Sequence, residues 1–311
     1  MSSFTFWLPR EQIIESLQAI AATCVCVSIL HLVAYHTLRR HTIKHKFNRQ
    51  ECHKAAYQLT NFVVNSLLGL AGLYVSFFCH DDWDLVFPHQ MNIHQRVYGY
   101  TDFKFIAFAA VQVGYNLWCL PVGIIFVKEK VEMIGHHIAV VLTCTLSALA
   151  SPGFRIHSPF FLGVFEVSSI ALIIMNFLRD RHEWTQKNFK TGFDFCRLLF
   201  AFSFLSFRVV LGSPQIYSVI VATIWTVREL DGVNGAEYYR LWLLFVAMGQ
   251  FFLAMLQYYW AYLIVSGLMR MLSPALKKTT TKKKHSDCNR TEGNGFGDSE
   301  VAKANGSKAM K

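Results

Sequence analysis

Seven apolar stretches, residues 17–38, 59–79, 103–127, 131–150, 159–178, 195–212 and 241–268, each approach the roughly 20 residues that a helix needs to cross a hydrocarbon layer of about 30 Å. Such a layer offers no water to backbone N–H and C=O groups, so every stretch must satisfy them internally. The chain is therefore predicted to be an all-α membrane protein with seven transmembrane helices. A composition of 53% hydrophobic and 16% charged residues, with 7 prolines in 311, is too apolar for an ordinary soluble domain. An eighth run, 216–227, is shorter than a crossing and reads as a re-entrant or interfacial piece.

Lysines and arginines collect on the cytosolic side of short loops. They follow the first stretch (Arg39, Arg40, Lys44, Lys46, Arg49, Lys54), the third (Lys128, Lys130), the fifth (Arg179, Arg181, Lys187, Lys190) and the seventh. That pattern predicts a luminal N-terminus and a cytosolic C-terminus. The first stretch lacks a cleavage site and is preceded by Glu11 and Glu15, so it reads as a retained anchor rather than a signal peptide. From Ser273 onward the composition turns to Lys, Thr, Ser, Asn and Gly, the signature of a disordered tail. Its Lys277, Lys278, Lys282, Lys283 and Lys284 are placed to attract anionic lipid or to fix topology. A cytosolic tail leaves the sequons at Asn289 and Asn305 unmodified.

Ionisable groups at membrane depth are costly and mark candidate sites. His136 and His137 open the fourth stretch, roughly 8 Å inside its edge at about 1.5 Å per residue. Adjacent helical positions point about 100° apart, so the two imidazoles are expected to divide their labour, one lining a cavity and the other touching a neighbouring helix. Histidine serves proton transfer near neutral pH and nucleophilic attack on an activated acyl group. A purely interfacial role stays open. Asn116, Asn176 and Gln257 are polar groups able to meet the pair. Glu166 and Arg208 enter at depths that let them join as an ion pair, which a structural role in fixing helix register explains equally well. His31 reads as a helix-packing residue.

No metal is expected. His41 and His45 with the histidine pair fall short of a di-iron histidine box, because position 133 is Met and no third box follows His182. The loop His80-Asp81-Asp82-Trp83-Asp84, with His89 and His94, reads as a solvated acidic segment ahead of a cation site. Nothing suggests a nucleic-acid partner. A seven-helix receptor is disfavoured by Phe126-Val127-Lys128 where an acidic-Arg-aromatic triplet would stand, and by the absence of Asn-Pro in the last stretch.

Gly114-Tyr115-Asn116, Glu132 with His136-His137, Phe165-Glu166-Val167-Ser168-Ser169, Asn176, Phe207-Arg208-Val209 and Tyr259-Trp260, in this order, resemble the TLC domain. That domain is shared by ceramide synthases, translocation-associated membrane proteins and TLC-domain-containing proteins. The resemblance covers residues 48–271, leaving 1–47 as luminal N-terminus, first helix and basic loop, and 272–311 as tail. It implies a six-helix barrel enclosing a lipid cavity, with an extra N-terminal helix, in the endoplasmic reticulum. In ceramide synthases the histidine pair belongs to the catalytic centre that transfers an acyl chain from acyl-CoA, and His136 and His137 match it. The downstream His-Asp-x-x-Asp is replaced here by Phe165-Glu166-Val167-Ser168-Ser169, which resembles the non-ceramide-synthase branch, linked to phospholipid composition, acyl transfer and trafficking. The resemblance therefore implies lipid or acyl-chain binding by Asn116, Glu166, Asn176, Arg208 and Gln257. Two readings stay open: an acyltransferase using His136 and His137, with acyl-CoA as substrate and no bound cofactor, or a non-catalytic lipid-sensing or trafficking factor.

Overall fold

The computed structural model describes residues 9–42, 48–79, 97, 103–149, 154–233 and 236–272. The loop from His80 to His94, the histidine at position 45, the sequons and the lysines of the tail lie outside them. Among the described residues there is no strand, and every apolar stretch is helical. Among the described residues six helices are long and apolar enough to cross a membrane, Arg10–Arg40, Arg49–Phe78, Phe105–Val127, Arg155–Arg179, Lys190–Glu229 and Glu237–Arg270, and Val131–Ser147 is a shorter apolar helix.

The regular α-helices are α1 (Arg10–Thr42), α2 (Arg49–Phe78), α3 (Phe103–Val122), α4 (Val131–Cys144), α5 (Glu166–Arg179), α6 (His182–Asn188), α7 (Lys190–Ser203), α8 (Gly212–Glu229) and α9 (Glu237–Leu272). Asn48 caps α2 with a reciprocal box: its side chain accepts from the Gln50 amide at 3.0 Å while Glu51 accepts from the Asn48 amide at 3.0 Å. The chain forms two compact units, residues 1–263 and 264–311; the described part of the second is the helical end of α9.

Wide π turns interrupt the helices at Gly123–Val127, Thr145–Leu149, Phe160–Val164 and Phe204–Val210. Pro121, inside α3, has no N–H to give the preceding turn, and the first π turn follows within two residues. A π turn leaves backbone carbonyls for side chains to satisfy, and each of these turns supplies a residue to the interior cavity.

Close approach of helices depends on missing side chains at one crossing. A Cβ on Gly72 of α2 would lie 2.5 Å from the Gly163 backbone, and one on Gly163 would lie 2.6 Å from Gly72 Cα, so the two backbones touch. Helix α1 lies outside the barrel against α2 and α3, with the Cys24 thiol reaching the Gly114 carbonyl at 3.1 Å. It contributes His31 to a buried contact, with Nε2 at 3.4 Å from His53 Nδ1, and exposes Val25, Ile29, Leu32 and Val33 as a lipid-facing surface does.

Residues 216–227 are the centre of the 18-residue helix α8. Pro214 and Arg228 bound the apolar run in the sequence, but Pro214 sits in the first turn of α8, where its missing N–H is tolerated, and Arg228 in the last; Thr223 and Thr226 on the buried face bond carbonyls one turn back at 2.8 Å.

Candidate functional site

A cavity of about 440 Å3 runs through the unit formed by residues 1–263. Ligand sites fall in the range of about 300–1,000 Å3. Its wall is built by α2, α3, α4, α5, α8 and α9 together with the π turns and residues 128–130; the described residues of α1, α6 and α7 contribute nothing. Phe154 and Arg179, at opposite ends of one membrane-crossing segment, both line it. The cavity therefore reaches both ends of that segment.

Every residue the sequence nominated lines this cavity: His136, His137, Asn116, Glu166, Asn176, Arg208 and Gln257. Helical spacing places Gln112 and Asn116 one turn apart on the inner face of α3, and they begin a chain of polar contacts. Gln112 Nε2 donates to the Leu162 carbonyl at 3.2 Å, in a π turn, and to Glu166 Oε1 at 3.0 Å. Both partners are acceptors, which fixes the Gln112 amide and leaves its Oε1 to accept from Asn116 Nδ2 at 2.9 Å. Asn116 Oδ1 therefore faces His137, 2.6 Å from Nδ1, and the network assigns the ring proton to Nδ1.

That assignment has a consequence on the far side of the ring. His137 Nε2 lies 3.3 Å from Glu129 Oε2, and an unprotonated nitrogen would present a lone pair to a carboxylate oxygen. Neither atom has a hydrogen-bond partner among the described residues. Glu129 is fixed by the Tyr57 hydroxyl, which donates to Oε1 at 2.9 Å, and by the missing side chain of Gly123, whose Cβ would lie 2.8 Å from Oε2.

His136 differs. Its ring meets Trp260 of α9 edge-on at 5.4 Å between centroids, and its buried Nδ1 has no hydrogen-bond partner among the described residues. His137 is thus held at Nδ1 by Asn116 with its Nε2 turned to Glu129, while His136 leaves Nδ1 without a partner in the cavity wall.

Deeper in, Arg208 Nη2 stands 3.8 Å from Glu166 Oε2, and this is the ion pair expected from the sequence. The guanidinium also donates to Ser168 Oγ at 2.7 Å, Ser169 Oγ at 2.9 Å, the Phe165 carbonyl at 3.1 Å and Gln257 Oε1 at 3.1 Å. A buried charge is tolerated when it is paired and hydrogen-bonded in this way. The serines at 168 and 169 serve Arg208, in the segment where a ceramide synthase would carry its histidine and acids.

Sequence reasoning missed Glu129, Gln112, Tyr57 and His157. The spacing of Gln112 and Asn116, polar at i and i+4 in an apolar span, was the available signal for one of them. Glu129 sits between Lys128 and Lys130 and reads as a solvated loop acid. His157, buried at the other end of the cavity with Nδ1 at 2.9 Å from Gln215 Oε1, carries no motif.

These features define a class: an all-α membrane protein built around an elongated cavity with a polar spine and apolar walls. The TLC domain model matches residues 51–266, and the chain belongs to the TLC-domain family. No curated protein and no solved structure matches it.

Proposed function

We propose that this protein handles lipid by holding an acyl chain inside the barrel. The observation carrying this reading is the cavity itself, which passes from polar groups around His137 to Phe161, Leu162, Ile216, Val219, Ile220 and Leu253. An acyl chain gains about 0.8 kcal/mol per buried CH2 in such a wall. Asn116, Glu166, Asn176, Arg208 and Gln257 then define the polar side of the binding site. The test is photolabelling of reconstituted protein with a diazirine-bearing fatty acid. Adducts are expected on cavity residues such as Phe161 and Leu253; adducts confined to lipid-facing Phe245 and Met248 would overturn the reading.

A second reading, acyl transfer from a thioester such as acyl-CoA, is favoured by the unpartnered Nδ1 of His136. That nitrogen would attack the thioester carbonyl, the C–S bond would break with release of the thiolate, and an acceptor hydroxyl or amine would then take the acyl group from the imidazole. His136→Ala would abolish transfer while leaving acyl binding intact. Full transfer by that variant would take the chemistry away from His136, and absence of transfer by the wild type would leave the non-catalytic reading, a lipid sensor or trafficking factor. Residence in the endoplasmic reticulum, a luminal N-terminus and a cytosolic C-terminus complete the proposal, resting on the family and on the distribution of lysine and arginine.

A further inference from the structure

Among the described residues two that are not glycine have left-handed backbones, Lys128 at φ 58° and Phe154 at φ 61°, and both line the cavity. Such conformations cost free energy and persist where the surroundings impose them, often at ligand clamps. Phe154 lies at one end of the cavity and Lys128 at the other.

Lys128 ends the π turn Gly123–Val127, and its own N–H bonds back to the Gly123 carbonyl. A helix terminus of this kind ordinarily selects glycine. A lysine here keeps a cation at the cavity mouth at the expense of backbone ease. Lys54, Lys130 and Arg179 line the same end. Of these four cations only Lys54 is paired with an acid among the described residues, to Asp180 at 3.0 Å. Glu129 turns instead to Tyr57 and His137. Lys128, Lys130 and Arg179 therefore leave a surplus of positive charge over an apolar tunnel.

We propose that this end of the cavity binds the phosphate of an acyl amphiphile, whose tail runs past the histidines toward Phe154. The inference rests on the acyl-chain reading above and adds the chemistry of the head. Phosphate meets two ammonium groups and a guanidinium with charge-assisted hydrogen bonds. It reaches the site either as the headgroup of a membrane lipid or on a soluble carrier such as coenzyme A.

The test measures binding to purified full-length protein in neutral detergent with three palmitoyl amphiphiles: monopalmitoylglycerol, lysophosphatidic acid and a non-hydrolysable thioether of palmitoyl-CoA. At least one phosphate-bearing probe is expected to bind ten-fold or more tighter than the glycerol ester, and the one that does identifies the source of the phosphate. Lys128→Gly is expected to erase that advantage, to keep binding of the glycerol ester, and to melt without ligand at the same or a higher temperature, because glycine relaxes the left-handed backbone. Lys130→Gln should reduce the advantage with the backbone unchanged. Equal binding of all three probes, or an unchanged advantage in both variants, overturns the phosphate site while leaving the acyl cavity standing. Failure of all three to bind overturns both.

Discussion

His137 Nε2 and Glu129 Oε2 stand 3.3 Å apart, and the amide chain behind the imidazole sets which ring nitrogen carries the proton. The orientation begins at the Leu162 carbonyl and passes through Gln112 and Asn116 to Nδ1. Nitrogen-15 NMR of histidine-labelled protein should find His137 protonated at Nδ1. Gln112→Leu should release that preference, since Asn116 is then free to present either end of its amide. A wild-type His137 protonated at Nε2 alone would contradict the network.

Removing the carboxylate should be felt as lost stability. Glu129→Ala strips the buried Tyr57 hydroxyl of its acceptor, and such an orphaned group costs about 1–3 kcal/mol. Thermal melting in detergent should show a clear decrease, with Glu129→Gln intermediate because its amide oxygen can still accept from Tyr57. A melting temperature unchanged by Glu129→Ala would show the contact to be energetically idle.

Glu166 and Arg208 should behave as a unit. Arg208→Met leaves the Glu166 carboxylate buried without its cation, and breaking a buried pair in this way costs about 3–5 kcal/mol. Glu166→Gln combined with Arg208→Met should recover a large part of that loss, a coupling that a double-mutant cycle reads directly. Additive losses would mean that Arg208 is held by Ser168, Ser169 and Gln257 with little help from Glu166.

The crossing of α2 with the π turn at Gly163 should tolerate no side chain. Gly72→Val places carbon within 2.5 Å of backbone that cannot move aside. The variant should fail to give a monodisperse peak by fluorescence-detected size exclusion. A normal peak and melting temperature would show that the helices separate easily there.

Much of this architecture was legible because membrane burial is written in single residues. A carboxylate or guanidinium inside an apolar run has few places to go, so Glu166 with Arg208, and His137 with Asn116, followed from depth and spacing. What stayed hidden depends on backbone detail. Neither the π turns that free the Leu162 carbonyl nor the left-handed conformation of Lys128 leaves a mark in hydropathy. The true length of α8 was concealed by Pro214 and Arg228, which end the apolar run but fall within the first and last turns of the helix. Glu129 joins the site through the gap that Gly123 leaves and the hydroxyl of Tyr57, neither of which hydropathy records.

Native mass spectrometry of the purified wild-type protein beside Ala254→Trp tests the acyl cavity most directly, since Ala254 is a buried part of the cavity wall and an indole there occupies the space a tail would use. Wild type should retain an acyl-bearing molecule of defined mass, and the folded variant should lose it. Wild type emerging bare, or both proteins carrying the same lipid in equal amount, would contradict the account.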